Sequence, residues 1–560
     1  MVNTLCEGPI LFYTRSQNNF FTAIITMNSL TFYTFLSLVA LVTLRKCCAV
    51  KGRNPSDSLA FDDHSNSFPK SGIQINGDFN MTFAKDIISA SVEEELKVEL
   101  EEDPFKQWKY KSRWRRMSDL KLNGDLISKA IQPGNQDRLK KVFIKALEGQ
   151  QINLLVIGGS NSAGGKLGVD EKSLDGLYFK VFSNWWNNTF GKITKAYVKE
   201  YQVTIGGTGS YFFAFCYRTF IPKDEKIDIV LIETSINYNL RGKAEAYEQL
   251  TRQVLEYPSA PAVLYISLVS GLGLDPKTKH VINPSCFNLE NFGQVELARH
   301  YNITSFSLKE VLCRKENDQW RAAITDMAAS DGRHIGIKAH AMVAMMLIEY
   351  IRGLLKEAVK EARNTFGNRQ VNSENNDSPI PDSFFLRCET EVLKQPLCWT
   401  GVTPDISQDL HRPNLPIQIM ENDGFSPSGS LRDQNASDNG KNSDLRSDAQ
   451  GGWGTWQIYS RLKLRIYIPS NESSPNTRSV ILLTRTSGSG GKAEVWLDNN
   501  ENEVIYINTK SVYGQNRLDT IEIGVGPGFH TITVRTVCDG NFLVSGVLVG
   551  PQSFNRRKVL

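Results

Sequence analysis

A chain of 560 residues that is 41% hydrophobic and 22% charged has enough apolar content for two or more domains, since one core rarely grows past about 250–300 residues; it is neither a disordered chain nor a small disulfide scaffold. Lys and Arg total 64 against 60 Asp and Glu, a formal charge of +4, which over this length makes no field that argues for nucleic acid. The nine cysteines form no CxxC pair of the kind that builds a zinc knuckle, so no structural metal is expected.

In chain order, the first feature is apolar. No charge falls between Ser16 and Leu44, and Leu30 to Leu44 is almost wholly apolar before Arg45 and Lys46. A bilayer span needs roughly 20 such residues, so residues about 20–44 are expected to enter the membrane, with 1–50 as a short tail plus a transmembrane or signal-anchor segment. A cleaved signal peptide fits less well, because Arg15 is the only basic residue ahead of the run. Arg45, Lys46, Lys51 and Arg53 would by the positive-inside rule keep the body in the cytosol. Six cysteines beyond the span, Cys216, Cys286, Cys313, Cys388, Cys398 and Cys538, argue for an oxidising compartment instead. Asn-x-Ser/Thr sites at Asn80, Asn187, Asn302, Asn376, Asn435 and Asn471 agree with that, and a lumenal or extracellular body is the expectation. Cys47 and Cys48 at the membrane edge are candidates for palmitoylation.

Residues 51–135 read as a linker. They are rich in Ser, Asn, Asp and Gly and then acidic (SVEEELKVELEEDP), the composition of a solvated stalk. KQWKYKSRWRRM at 106–117 reads as a lid or edge helix that packs Trp108, Tyr110 and Trp114 on the next domain. From 136 to 365 an α/β rhythm takes over: the helical RLKKVFIKALEGQQ, the strands INLLVIGG, KIDIVLIET and PAVLYISLV, and a long helix over 338–362. The strand runs are continuous enough to be buried on both faces, so 136–365 is expected to be one parallel-sheet domain. A linker follows over 366–450, with Cys388 and Cys398 close enough to close a local clip. From 451 to 560 short alternating runs ended by Gly, Asn or Pro predict an antiparallel β-sandwich. Trp453, Trp456 and Trp496 there are either core aromatics or a flat face for a sugar.

The chemistry sits in the α/β domain. NLLVIGGSNSAGG ends a buried strand at Gly158 and Gly159 and presents Ser160 at the carboxyl edge, where α/β folds place ligands. A phosphate loop would need Gly at 160 and Ser or Thr at 167, and a nucleophile elbow would need Gly at 162; neither fits. A second strand ends in Gly206, Gly207 and Gly209, where bare backbone can approach a substrate oxygen. A third ends with Glu233 and Asn237, the latter able to donate to an oxyanion. SDGRHIG then holds Asp331 and His334 three residues apart, a spacing at which a carboxylate can orient an imidazole toward the serine.

These four blocks, in this order, resemble the SGNH (GDSL-like) hydrolase family over roughly residues 150–350. The resemblance implies a flavodoxin-like three-layer α/β fold. It makes Ser160 the nucleophile and first oxyanion donor, Gly207 the second donor, Asn237 the third, His334 the general base and Asp331 its orienter. It also implies chemistry with neither metal nor organic cofactor. The family's Gly-Asp-Ser is here Gly158-Gly159-Ser160, and its Asn-Asp is Asn237-Tyr238, so two supporting carboxylates are absent. The Glu233-x-x-x-Asn237 spacing, the anchor and the β module are similar to those of larger membrane-anchored relatives. The expected function is hydrolysis of an O-acyl ester, with an acylated glycan as preferred substrate. An O-acyltransferase or a lipid esterase would use the same residues, and a silent carbohydrate-binding or adhesion protein is the alternative of another class.

Overall fold

The structure, a computed structural model, describes residues 90–551 apart from 105–112, 241–243, 270, 272, 283–285, 287–292, 314–318, 366–378, 387–391, 394, 403, 405–412, 428–450 and 471–477. The expected span at about 20–44 lies outside these residues. Among the described residues no helix is long and apolar enough to cross a membrane.

Six strands form the first sheet: β1 (Ile131–Gln132), β2 (Ile152–Gly158), β3 (Val198–Thr204), β4 (Ile229–Glu233), β5 (Ala262–Ser267) and β6 (Thr304–Ser307). Their order is β1-β6-β5-β4-β2-β3, parallel except for β1, which pairs antiparallel with β6. The five parallel strands thus follow a doubly wound order that changes direction between β2 and β4, the place where such sheets open a crevice at their carboxyl edge. All seven residues of β2 are buried because both faces are covered. Ile152, Leu154 and Val156 enter one core, and Leu155 and Ile157 enter the other.

Helices cover both faces. On one lie α1 (Ala90–Glu101), α2 (Asp137–Leu147), α3 (Tyr178–Asn188) and the long α6 (Ile337–Thr365); on the other lie α4 (Ser210–Cys216) and α5 (Ala244–Leu255). Helix α1 corrects the reading of the acidic stretch as a solvated stalk. Val92, Leu96 and Leu100 recur every four residues, so they form one stripe, and Leu96 and Leu100 are buried in the first core. The acidic residues take the other face, and Lys356 of α6 pairs with Glu101. The fold therefore begins well before residue 136, and β1 also belongs to it. The basic-aromatic segment is described only from Arg113; residues 113–116 are not helical, and Met117 opens a short 3-10 helix that ends at Leu120. Trp114 packs partly buried on the first core, and Arg113 pairs with Glu171 at 2.8 Å.

The remaining strands are β7 (Leu397–Thr400), β8 (Ile417–Asp423), β9 (Ser426–Pro427), β10 (Trp453–Thr455), β11 (Arg461–Ile468), β12 (Arg478–Arg485), β13 (Lys492–Leu497), β14 (Ile505–Asn508), β15 (Asn516–Val525), β16 (Gly528–Cys538) and β17 (Phe542–Pro551). They build a sandwich of two antiparallel sheets, β15-β12-β17-β10-β9 with β7 beside β17, and β14-β13-β16-β11-β8. Strands β7, β8 and β9 come from the stretch read as a linker, which is thus partly sandwich. Ile481, Leu483 and Leu548 turn away from the sandwich's own core into the second core of the α/β domain, so the two parts share one apolar interface.

The disulfides correct a second expectation. Cys398 bonds to Cys216, 182 residues away, and not to Cys388. The reason is positional: Cys398 lies on β7, whose inward side faces the helix that ends at Cys216, with a Cα–Cα distance of 5.4 Å. Cys286 bonds to Cys313.

Candidate active site

The site lies where β2 and β4 end. Beyond Gly158 the chain turns tightly, with Ala163 N–H donating to Gly159 O, Gly164 N–H to Asn161 O and Gly165 N–H to Ser160 O at 2.7–3.1 Å. This leaves Ser160 half-buried while Asn161 and Ser162 point inward and are buried. Gly165 has φ +30°, and a Cβ on it would stand 2.7 Å from His334 Cδ2 and 3.1 Å from Ser160 O. The imidazole therefore lies directly against the serine loop, and glycine is what makes the room.

His334 Nδ1 is 2.6 Å from Asp331 Oδ2. The other carboxylate oxygen, Oδ1, accepts the backbone N–H groups of Arg333 and His334, both at 3.0 Å. Burial raises the Asp331 pKa, but the imidazole and these two amides outweigh it, so the carboxyl is held well below its usual range. An ionised carboxylate on Nδ1–H fixes the tautomer that leaves Nε2 free to accept a proton.

Gly206 and Gly207 divide their roles. A Cβ on Gly206 would face Ser160 Cβ at 3.8 Å, whereas one on Gly207, at φ +66°, would strike Gly514 O and Arg485 Nη1 of the sandwich at 2.6 and 2.8 Å. The α-carbon that faces the serine is thus that of Gly206, and the expected donor Gly207 turns its own toward the second domain. Asn237 is buried beside the loop, and its Nδ2 donates to Thr208 O. One of its two amide hydrogens is committed to that carbonyl. A Cβ on Gly159 would overlap this same Nδ2, so glycine at 159 is what admits Asn237 to the site.

Sequence reasoning missed four supports. Asn161 Oδ1 accepts the Ile335 N–H at 2.9 Å; an amide side chain next to the serine was the available signal. Ser162 Oγ donates to Glu233 Oε2 at 2.8 Å and meets Tyr178 OH at 2.9 Å, all three buried. Burial pushes the Glu233 carboxyl up to about 7, against the lowering effect of Ser162 and the nearby amides. From the sandwich, Asn516 N–H donates to Gly207 O at 2.9 Å and Asn516 Nδ2 to Thr208 Oγ1 at 2.7 Å. Arg485 Nη1 donates to Gly206 O at 3.3 Å. Nothing in the sequence links positions some three hundred residues apart.

His340 is buried on α6, stacked on Tyr178 with ring centroids 6.0 Å apart. Burial, with the nearby His334 adding to it, pushes its pKa down to about 3, which keeps it neutral. Of the three sandwich tryptophans, Trp453 packs partly buried against the sandwich core, Trp496 is buried beneath Arg461 and Arg535, and Trp456 is exposed.

No family model matches the chain, and no curated protein does. Among solved structures it is similar to a two-domain esterase, CEX, active on acetylated mannans, with 19% identity and a TM-score of 0.51 over 76% of this chain and 99% of that one. The same description applies to a structure co-crystallised with mannopentaose, at 19% identity and a TM-score of 0.50 over 77% and 99%. At this identity the shared feature is the fold.

Proposed function

We propose that the protein is a serine carboxylic ester hydrolase of the SGNH type, removing O-acyl groups from a glycan. The observation that carries this is the Asp331–His334 pair, joined at 2.6 Å, with its imidazole against the loop that presents Ser160 at the sheet's crevice. In this reading His334 Nε2 takes the Ser160 proton and the alkoxide attacks the ester carbonyl. The Ser160 amide, a backbone amide of the Gly206–Gly207 turn and the remaining Asn237 Nδ2 hydrogen receive the oxyanion. His334 then protonates the leaving alcohol, and water, activated by the same imidazole, releases the acid.

An acetylated glycan is the preferred substrate because the esterase of the same architecture acts on acetylated mannans. The disulfides Cys216–Cys398 and Cys286–Cys313 support an oxidising, lumenal or extracellular setting. The apolar run at about 20–44 would hold the body at a membrane.

The test compares the full chain with Ser160→Ala on p-nitrophenyl acetate, longer acyl esters and acetylated mannan. A rate present in wild type and lost in the variant supports the reading, and free acetate as product separates hydrolysis from transfer to a sugar. Equal rates in two folded proteins overturn it.

A further inference from the structure

The serine loop needs a support that the β2 strand itself does not supply. A side chain at Gly159 has no room, because Asn237 Nδ2 occupies its place. Gly158 is equally bare, and a Cβ there would stand 2.5 Å from Ser162 Oγ. The two glycines let Ser162 fold back over the end of β2 toward the neighbouring strand. There its hydroxyl meets Glu233 Oε2 at 2.8 Å and Tyr178 OH at 2.9 Å. Glu233 is directly opposite Gly158 in the β2–β4 register, and its backbone carbonyl also takes the Gly159 N–H at 3.1 Å.

Glu233 is an odd residue for this position if its role is only to fill space. It is fully buried, and its Oε1 has no hydrogen-bond partner. Among the described residues no Lys or Arg pairs with it. The titratable groups that face it are Tyr178 from α3 and, stacked behind Tyr178, His340 from α6; both are buried. A buried carboxyl with one oxygen unpaired costs stability that an apolar residue of the same size would not. Such a group at the switch point, two residues of chain beneath the nucleophile, points to function.

We propose that Glu233 is a positioning residue for Ser160: acting through Ser162, it holds the nucleophile loop from the adjacent strand and so fixes the serine against His334. This rests on the esterase reading. The Ser160 hydroxyl and amide move with the Ser160–Ser162 turn, and a misplacement of about 1 Å at a reacting atom can cost on the order of 10²-fold in rate. The carboxyl is pushed up to about 7 by burial, so it changes charge near neutral pH, and the strength of its bond to Ser162 changes with it.

The experiment uses the full chain as wild type, Glu233→Ala, Glu233→Gln and Ser162→Ala. It reads kcat and KM on p-nitrophenyl acetate across pH 5–9, the rate of covalent labelling by a fluorophosphonate, and Tm. In Glu233→Ala and Ser162→Ala, kcat and labelling rate are expected to fall about 10²-fold with KM within about twofold. Glu233→Gln keeps an acceptor for Ser162, so it is expected to recover most of kcat and to lose the part of the pH dependence around neutrality that titration of Glu233 contributes in wild type. Wild-type kcat and labelling in Ser162→Ala overturn the proposal, as does a Gln variant as impaired as Ala or with an unchanged pH profile. Should Glu233→Ala fail to fold, Ser162→Ala decides alone. A wild-type protein that neither labels nor hydrolyses overturns the esterase reading and this one together, whereas one that labels as fast as its Ser162→Ala variant overturns this one only.

Discussion

Asn161 Oδ1 accepts the Ile335 N–H at 2.9 Å across 174 residues of chain. The two residues flank the reacting groups: Asn161 follows Ser160, and Ile335 follows His334. One buried hydrogen bond therefore fastens the loop that carries the nucleophile to the loop that carries the base, independently of any contact between the two side chains.

Asn161→Ala is accordingly expected to damage both stability and rate. It leaves the Ile335 N–H buried without an acceptor, a loss of about 1–3 kcal/mol. The freed loops separate the serine from the imidazole, so kcat should fall by more than KM changes. Urea unfolding and steady-state kinetics on the same preparation check this; a variant with wild-type kcat shows that other contacts set the approach.

Gly165 gives a sharper test of the same approach. A Cβ there would stand 2.7 Å from His334 Cδ2 and 2.9 Å from Cγ, closer than real carbon contacts allow, so the imidazole must move. Gly165→Ala is expected to lower kcat on the order of 10²-fold, and because φ is +30° there the turn should also lose more than about 1 kcal/mol of stability. Asp331→Asn should act differently, leaving the packing intact but removing the charge that fixes the imidazole tautomer, with a kcat loss on the order of 10³–10⁴-fold. Kinetics of the two variants beside Tm values separate displacement from tautomer loss.

How much of this was legible beforehand depends on how local each signal is. The buried run of β2, apolar but for Asn153, and the Asp331-x-x-His334 spacing carry their meaning within a few positions, and the structure brings Asp331 and His334 to 2.6 Å. Helix α1 was misread because its glutamates dominate the composition while Val92, Leu96 and Leu100 supply only one apolar residue per turn. Strand β8 escaped notice because most of its residues are exposed, so it lacks the alternation that a half-buried strand shows. The Cys216–Cys398 pairing and the bond from Asn516 to Thr208 join positions that only the assembled fold brings together.

The Cys216–Cys398 bond closes the largest described covalent loop, with a sequence separation of 182, and it ties α4 of the α/β domain to β7 of the sandwich. Chain-entropy arguments put the stabilisation from so long a loop near the top of the range, about 4–5 kcal/mol. A Cys216→Ser, Cys398→Ser double variant should unfold at markedly lower denaturant in non-reducing buffer. Adding a reductant to wild type, which also opens Cys286–Cys313, should lower the midpoint at least as far, and no shift in the double variant would remove the cross-link from the account of stability.

Acid and base should each weaken the fold through different buried groups. His340 has a folded pKa near 3 against an unfolded value of about 6.5. Between those values the unfolded chain binds the proton and the native one does not, so stability falls as pH drops from about 6.5 toward 3, by up to about 1.4 kcal/mol per pH unit. Asp331, held below its usual range, adds to the same loss once pH falls below about 4. Glu233 works in the opposite sense. Its folded pKa near 7 lies above an unfolded value of about 4.3, so the native state holds the extra proton and stability falls as pH rises through that window. Urea midpoints at pH 4.5, 5.5, 6.5 and 7.5 for wild type, His340→Met and Glu233→Gln check both signs. The first variant should lose less stability than wild type between pH 6.5 and 4.5, and the second should lose less between pH 5.5 and 7.5. Parallel curves for all three proteins would show that neither buried group carries the pH dependence.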